Sequence, residues 1–199
     1  MVMVSPESAA AARRARLLAA FVRTVAARGY ERTAPAAVTA AARLPEECFR
    51  EHFADLDACF LAAYLHHTGL LRARMEAAYR AERPWPDAFA AALETALRTV
   101  AAAPGAARVC VIESSAAGPR VRRARARFLM GLRPLLAGPG APHVPEVVRD
   151  SVVGGLYGTV YAHIAAGRTA ELPALLPAMT RFALGYFQDL GQEGAPPAR

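Results

Sequence analysis

The sequence contains no lysine; all 24 of its basic residues are arginine. Cysteine is sparse and odd in number. Cys48, Cys59 and Cys110 have spacings that fit neither a zinc site nor a disulfide framework, so a reducing compartment is expected. No run of 18 or more apolar residues is free of charge, which argues against a membrane-spanning helix. The opening MVMVSPESAA has no apolar core behind a basic start, so no secretion signal is expected and the cytoplasm is the expected location. There is no glycine-rich phosphate loop, no GxSxG and no HExxH, and the adjacent His66 and His67 cannot share one helix face. Strand-like alternation never persists, and no segment repeats. An enzyme, a metal site, a cofactor and a β-rich fold are therefore not expected.

What is present is apolar and helical. Of 199 residues, 54% are hydrophobic, enough to bury a sizeable core. The net charge of +7 permits a polyanionic partner without requiring one. The wealth of Ala, Gly, Pro and Arg is explained more simply by GC-rich coding than by an arginine-specific role.

Taken in order, Ser5-Pro6-Glu7-Ser8 is a helix-start signal. Leu17, Leu18, Phe21, Val22 and Val25 then form one buried stripe from about Ala9 to Arg28, and Gly29 ends it. Thr33 is the expected N-cap of a short helix, Pro35 to Ala42, with Pro35 in its first turn. Arg43-Leu44 makes the turn and Pro45 opens a third helix. Phe49 and Phe53 point inward from it, and Glu46 and Glu47 lie in its first turn. Asp55 or Asp57 starts a long helix to about Ala81. Pro84-Trp85-Pro86 reads as a break before a helix from Phe89 to Ala102. Ala106 to Ala117 reads as one short helix, and Gly118-Pro119 starts another carrying Phe128, Leu132 and Leu136. A further helix runs from Pro145 or Glu146 to about Ala166, and the last from Glu171 or Pro173 to about Leu190. The count is nine: three short ones and six in a body.

Three helices joined by Gly29-Tyr30 and Arg43-Leu44 have the spacing of a helix-turn-helix, whose second helix enters the major groove. A plain helical subdomain has the same periodicity. The segment from Arg14 to Phe60 resembles the N-terminal domain of the TetR-like bacterial regulators. The resemblance rests on LLAAF at 17–21, Gly29-Tyr30, Thr33, Val38, Leu44 and FREHF at 49–53, with Asp55 and Asp57 leading into the fourth helix. The LPALLPAMTRFALGYF ending extends it over most of the chain.

The resemblance implies an all-α homodimer. A helix-turn-helix domain (1–54) would read double-stranded operator DNA. A helical ligand-binding and dimerisation domain (55–190) would be followed by a disordered tail (191–199). It implies DNA contacts from Arg14, Thr33, Arg43, Glu46, Glu47, Cys48, Arg50 and His52. A small apolar effector would be lined by Leu93, Leu97, Ile112, Glu113, Phe128, Leu132, Tyr157 and Tyr161. The dimer interface would use Val153, Gly154, Tyr157, Gly158, Phe182 and Tyr186. Helical glycines cost stability, and close approach of a partner helix would compensate. Effector binding would move the fourth helix, change the spacing of the two heads and release a repressor from DNA.

Two features run against the pattern. Where the family has Gly-Val-Ser or similar in the turn, this chain has Arg43-Leu44-Pro45. From Pro45 to Phe53 one Arg faces three Glu, a net of −2. Glu46 and Glu47 either cap the helix or accept from cytosine amino groups. Arg13, Arg14, Arg16, Arg32, Arg43 and Arg50 would then form a phosphate-binding rim. A helical ligand-binding or interaction protein with weakened DNA affinity is the alternative. The run Arg120, Arg122, Arg123, Arg125, Arg127 and Arg133, with no acid between Ser114 and Pro145, is either a solvated face or a second basic surface.

Overall fold

A computed structural model describes residues 6–81 and 84–193. Every regular element among the described residues is helical: α1 Pro6–Arg28, α2 Pro35–Ala42, α3 Glu47–His52, α4 Leu56–Ala81, α5 Trp85–Ala102, α6 Pro104–Ala107, α7 Pro119–Met130, α8 Glu146–Ala165 and α9 Leu176–Glu193. The chain packs as two compact units, Met1–His67 with Gly105–Arg125, and Thr68–Pro104 with Ala126–Arg199. These units do not follow the division expected at residue 54.

In the first unit, α1 buries Leu17, Phe21 and Val25 completely, as its stripe requires. Gly29 ends the helix in the left-handed region, φ +84°, with its N–H on the Val25 carbonyl at 2.8 Å. α2 has the expected bounds, but Thr33 is not its cap. Ala34 occupies the cap position, and the Thr33 hydroxyl donates back to the Gly29 carbonyl at 2.8 Å. That bond ties the loop to the end of α1 rather than to the start of α2.

The end of α2 is closed by backbone. Arg43 N–H donates to the Ala40 carbonyl and Leu44 N–H to the Thr39 carbonyl, both at 3.0 Å. Such an ending needs a left-handed residue, and Arg43 supplies it at φ 53° and ψ 50°. α3 has six residues and begins at Glu47, two later than expected. Its Phe49 and Phe53 are buried with ring centroids 5.6 Å apart. Asp55 accepts the Ala58 N–H at 2.6 Å and so fixes the start of α4. Phe60 on α4 packs edge-on to Tyr30 (5.0 Å) and against Phe21 (5.3 Å).

The expected single helix over Ala106–Ala117 does not form. α6 is followed by a π-helical turn, Arg108–Ile112, and a 3-10 turn, Glu113–Ser115. The change of winding accompanies an ion pair. Residues five apart point in different directions on an α-helix but share a side on a π-helix. Arg108 and Glu113, five apart, meet at 3.1 Å.

In the second unit, Pro84-Trp85-Pro86 begins α5 rather than interrupting the chain. Pro84 is extended, and Pro86 lies in the first turn, where the missing N–H removes nothing. Trp85 is buried; its indole N–H donates to the Leu135 carbonyl at 3.1 Å, and its ring lies 5.1 Å from Phe187. After α7 a 3-10 turn, Arg133–Leu136, takes Leu136 off the helix that was expected to carry it. α9 is preceded by a 3-10 run, Thr169–Leu175, with Pro173 inside it. α9 continues through Glu193, past the expected start of a disordered tail at Gly191. Residues 194–199 of that tail lie outside the described residues.

Candidate nucleic-acid interface

The first unit sorts the residues expected at DNA by burial. Arg14, Arg43, Glu46, Glu47 and Arg50 are exposed, Cys48 and His52 are half-buried, and Thr33 is buried at 8% exposure. α3 directs Phe49 and Phe53 into the core, which leaves Glu46, Glu47, Arg50 and Glu51 on its outer side. The His52 Nε2 is buried and has no hydrogen-bond partner among the described residues. Arg14 places its guanidinium 5.3 Å over the Phe53 ring, an arrangement that orients the charge while the stem covers apolar surface.

Several arginines have structural duties that periodicity does not reveal. Arg16 donates to the carbonyls of Ala42 (2.7 Å) and Arg43 (3.2 Å), and Arg23 to that of Ala41 (3.2 Å). These carbonyls are the orphan acceptors at the negative end of α2, where a cation is most favourable. Arg32 donates to the Arg28 carbonyl at 2.7 Å. Arg16 and Arg32, expected in the phosphate rim, are exposed and also donate to helix-end carbonyls. Their partners are 26 and 4 residues away, and only the fold chooses between a carbonyl and solvent.

The loop between α1 and α2 is held from two sides. The Tyr30 N–H donates to Glu113 Oε2 at 2.9 Å, and Glu113 also pairs with Arg108. The Tyr30 phenol donates to Asp57 in a short bond, and the Gly118 N–H reaches the same carboxylate oxygen at 3.4 Å. Burial, followed by that bond and the Asp57 charge, pushes the Tyr30 phenol far above its usual range. Glu113, expected to line an effector pocket, is thus engaged with the loop between α1 and α2. Burial also raises the Cys59 thiol to about 12, against a smaller opposing effect of Arg14. Cys110 counts as partly exposed by area, yet the packing around its sulfur raises it to about 12. Neither thiol is primed for reaction.

The other residues expected around an effector divide between the units. Ile112 lies with Glu113 in the first. Leu93, Leu97, Phe128, Leu132, Tyr157 and Tyr161 lie in the second. Leu93 and Leu97 are buried on α5, while Phe128, Leu132 and Tyr157 are half-buried. Tyr161 is 39% exposed.

The residues expected at a dimer interface sit on α8 and α9. Val147, Ser151, Gly154, Gly158 and Tyr161 recur at spacings of four and three along one exposed side of α8. Phe182 and Tyr186 stand beside them on α9, exposed, with rings 5.4 Å apart. An open groove of about 270 Å³ is lined by Val147, Val148, Ser151, Val152, Phe182 and Tyr186. Gly155 meets the Phe182 ring, so it is the glycine that lets α8 and α9 approach. Gly154 and Gly158 face open space among the described residues. Val153 points into the core at 9% exposure.

This all-helical architecture, with a short helix-turn-helix followed by a larger helical body, is the fold of the TetR-family regulators. Most of the solved structures compared with it are described as TetR-family or transcriptional regulators, and one as the superantigen PfiT. The fatty acid degradation regulator FadR from Bacillus halodurans matches 92% of this chain and 97% of its own, with a TM-score of 0.79 and 15% identity. The transcriptional regulator FadR from Bacillus subtilis, solved in complex with stearoyl-CoA, matches 84% of this chain and 96% of its own, with a TM-score of 0.75 and 16% identity. A regulatory protein of the tetR family from Rhodococcus RHA1 matches 88% and 96%, with a TM-score of 0.72 and 16% identity. No protein-family model and no curated protein sequence matches the chain. At these identities the likeness establishes the fold. Among the described residues, no single helix is long and apolar enough to cross a membrane.

Proposed function

We propose that this protein is a TetR-like transcriptional regulator that binds operator DNA as a homodimer in the cytoplasm and is released by a small, largely apolar effector. The observation that carries the reading is the geometry of α3. A six-residue helix is anchored by Phe49 and Phe53, follows a left-handed turn at Arg43, and keeps Glu46, Glu47 and Arg50 in solvent. A helix whose polar side is left bare while its aromatics are locked down is built to meet a partner. Arg14, Arg43 and Arg50 form the phosphate-contacting rim. Glu46 and Glu47 serve the positive end of α3, with contact to cytosine amino groups as the competing role.

The exposed α8–α9 side is the proposed homodimer surface. It is apolar and regular in spacing, as an interface between like helices requires. The solved Bacillus subtilis FadR supports a long acyl chain as the apolar part of the effector. In this reading Leu93, Leu97, Phe128, Leu132 and Tyr157 contribute to its lining. Effector binding shifts α4, a single helix that belongs to both compact units, and so resets the reading heads.

The test is recovery of duplexes from a random pool by the full chain, followed by mobility shifts at several salt concentrations with and without an acyl-CoA. Regulator function predicts a palindromic site, affinity that falls with salt, and release on addition of the effector. A second reading has its own support in the exposed Glu46 and Glu47. It holds that the chain binds ligand or protein and has lost DNA affinity. Recovery of no duplex at low salt selects that reading.

A further inference from the structure

The charge that a DNA-binding unit needs is not where the reading helix is. Within the first compact unit, Met1–His67 carries eight arginines against seven acids, a net of +1. Gly105–Arg125 carries five arginines against one Glu, a net of +4. Several of the former are committed, Arg16, Arg23 and Arg32 to carbonyls.

The latter five divide in the same way. Arg108 pairs with Glu113, Arg122 donates to the Ala117 carbonyl at 2.6 Å, and Arg125 donates to the Ser115 hydroxyl at 2.8 Å. Arg120 and Arg123 remain. Both are exposed, they are three apart on one side of α7, and neither has an ion-pair partner among the described residues. They lie in the first half of α7, where the helix's positive end adds to their field.

Their placement is fixed relative to the reading head. The Gly118 N–H bonds to Asp57 on the first turn of α4, and a Cβ at Gly118 would lie 1.9 Å from the Asp57 carboxylate. The start of α7 is therefore seated directly on the turn that follows Phe53, the residue closing α3. From the other side Glu113 holds Tyr30.

We infer that Arg120 and Arg123 form a second contact surface for duplex DNA, gripping backbone phosphates outside the helix-turn-helix and supplying affinity that the acidic α3 does not. The inference rests on the DNA-binding reading proposed above. Guanidinium groups without acidic neighbours suit phosphate oxygens, and such contacts set affinity without reading sequence.

The experiment compares four full-length proteins on a duplex recovered from a random pool by the wild type and on a mixed-sequence duplex. These are wild type, Arg120→Ala/Arg123→Ala, Arg120→Lys/Arg123→Lys, and the charge-matched Arg74→Ala/Arg98→Ala. Each released phosphate contact lowers the slope of log affinity against log salt by about 0.9, so the alanine pair, lost from both protomers of the homodimer, should lower it by about 3.6. Its loss of affinity should be about a hundredfold greater at 50 mM than at 200 mM salt, similarly on both duplexes. The lysine pair should keep the wild-type slope, and the control should match wild type. An unchanged slope in the alanine pair overturns the inference while leaving the regulator reading intact. An equal fall in the Arg74/Arg98 control overturns it too, as a general charge effect. If wild type recovers no duplex, the regulator reading fails and this inference falls with it.

Discussion

The Tyr30 N–H donates to the Glu113 carboxylate across 83 residues of chain. One carboxylate thereby closes the loop between α1 and α2 and neutralises Arg108 on its own segment. Glu113 is only 11% exposed as a side chain, so neither partner is readily replaced by water.

Glu113→Ala should destabilise the protein by about 1–3 kcal/mol, the cost of leaving a partly buried donor unsatisfied. Glu113→Gln retains an acceptor and should lose less. Denaturant midpoints at constant slope measure both. Equal stability of Glu113→Ala and wild type would show that the bond adds nothing.

Gly118→Ala tests the second attachment of the same segment. Its Cβ would collide with Asp57, which cannot swing away without giving up the Tyr30 phenol. Overpacking of this kind costs about 1–3 kcal/mol. A lowered melting temperature with unchanged helix content is the expected result, read by circular dichroism.

Arg43→Gly should raise stability and weaken DNA binding at once. Arginine at φ 53° carries left-handed strain of about 1–2 kcal/mol, from which glycine's greater unfolded-state entropy subtracts about 0.5–1 kcal/mol. The net gain is therefore between about 0 and 1.5 kcal/mol. If Arg43 contacts a phosphate in each protomer of the homodimer, the salt slope falls by about 1.8 at the same time. A stabilised variant with full binding removes Arg43 from the rim.

Gly154→Ala and Gly158→Ala separate the proposed dimer from a bare surface. Neither added Cβ meets anything among the described residues. In a monomer each exchange should stabilise α8 by about 0.5–1 kcal/mol. In a dimer packed on this side each should weaken association. Sedimentation at several concentrations, alongside melting, distinguishes the two outcomes.

Stability should fall as pH drops below about 6.5. Burial, then the neighbouring His66, lowers the His67 pKa in the folded state. The unfolded chain therefore binds the proton first, and the contribution present at neutral pH is lost between the unfolded value near 6.5 and the lower folded one. His67→Gln should flatten this part of the pH–stability curve, measured by denaturant titration from pH 7.5 to about 5, a window set by that reference value.

The sequence by itself determined most of the helices, because their information is local. Leu17, Phe21 and Val25 recur with a helix's period. Gly29 can adopt a backbone that other residues resist, and Pro35 fits only a first turn. These rules fix α1, α2, α4 and α8 to within a few residues. Phe49 and Phe53, four apart, fixed which side of α3 is buried. Tertiary structure decided what no local rule contains. It sent Arg16 to the end of α2, turned Thr33 back to Gly29, wound Arg108–Ile112 as a π-helix and paired Arg108 with Glu113. It also grouped Gly105–Arg125 with the N-terminal helices of Met1–His67. In each case a charged or polar group had several partners of similar local merit. The choice fell to whichever lay within hydrogen-bonding distance once the apolar stripes had packed, and sequence spacing does not encode that distance.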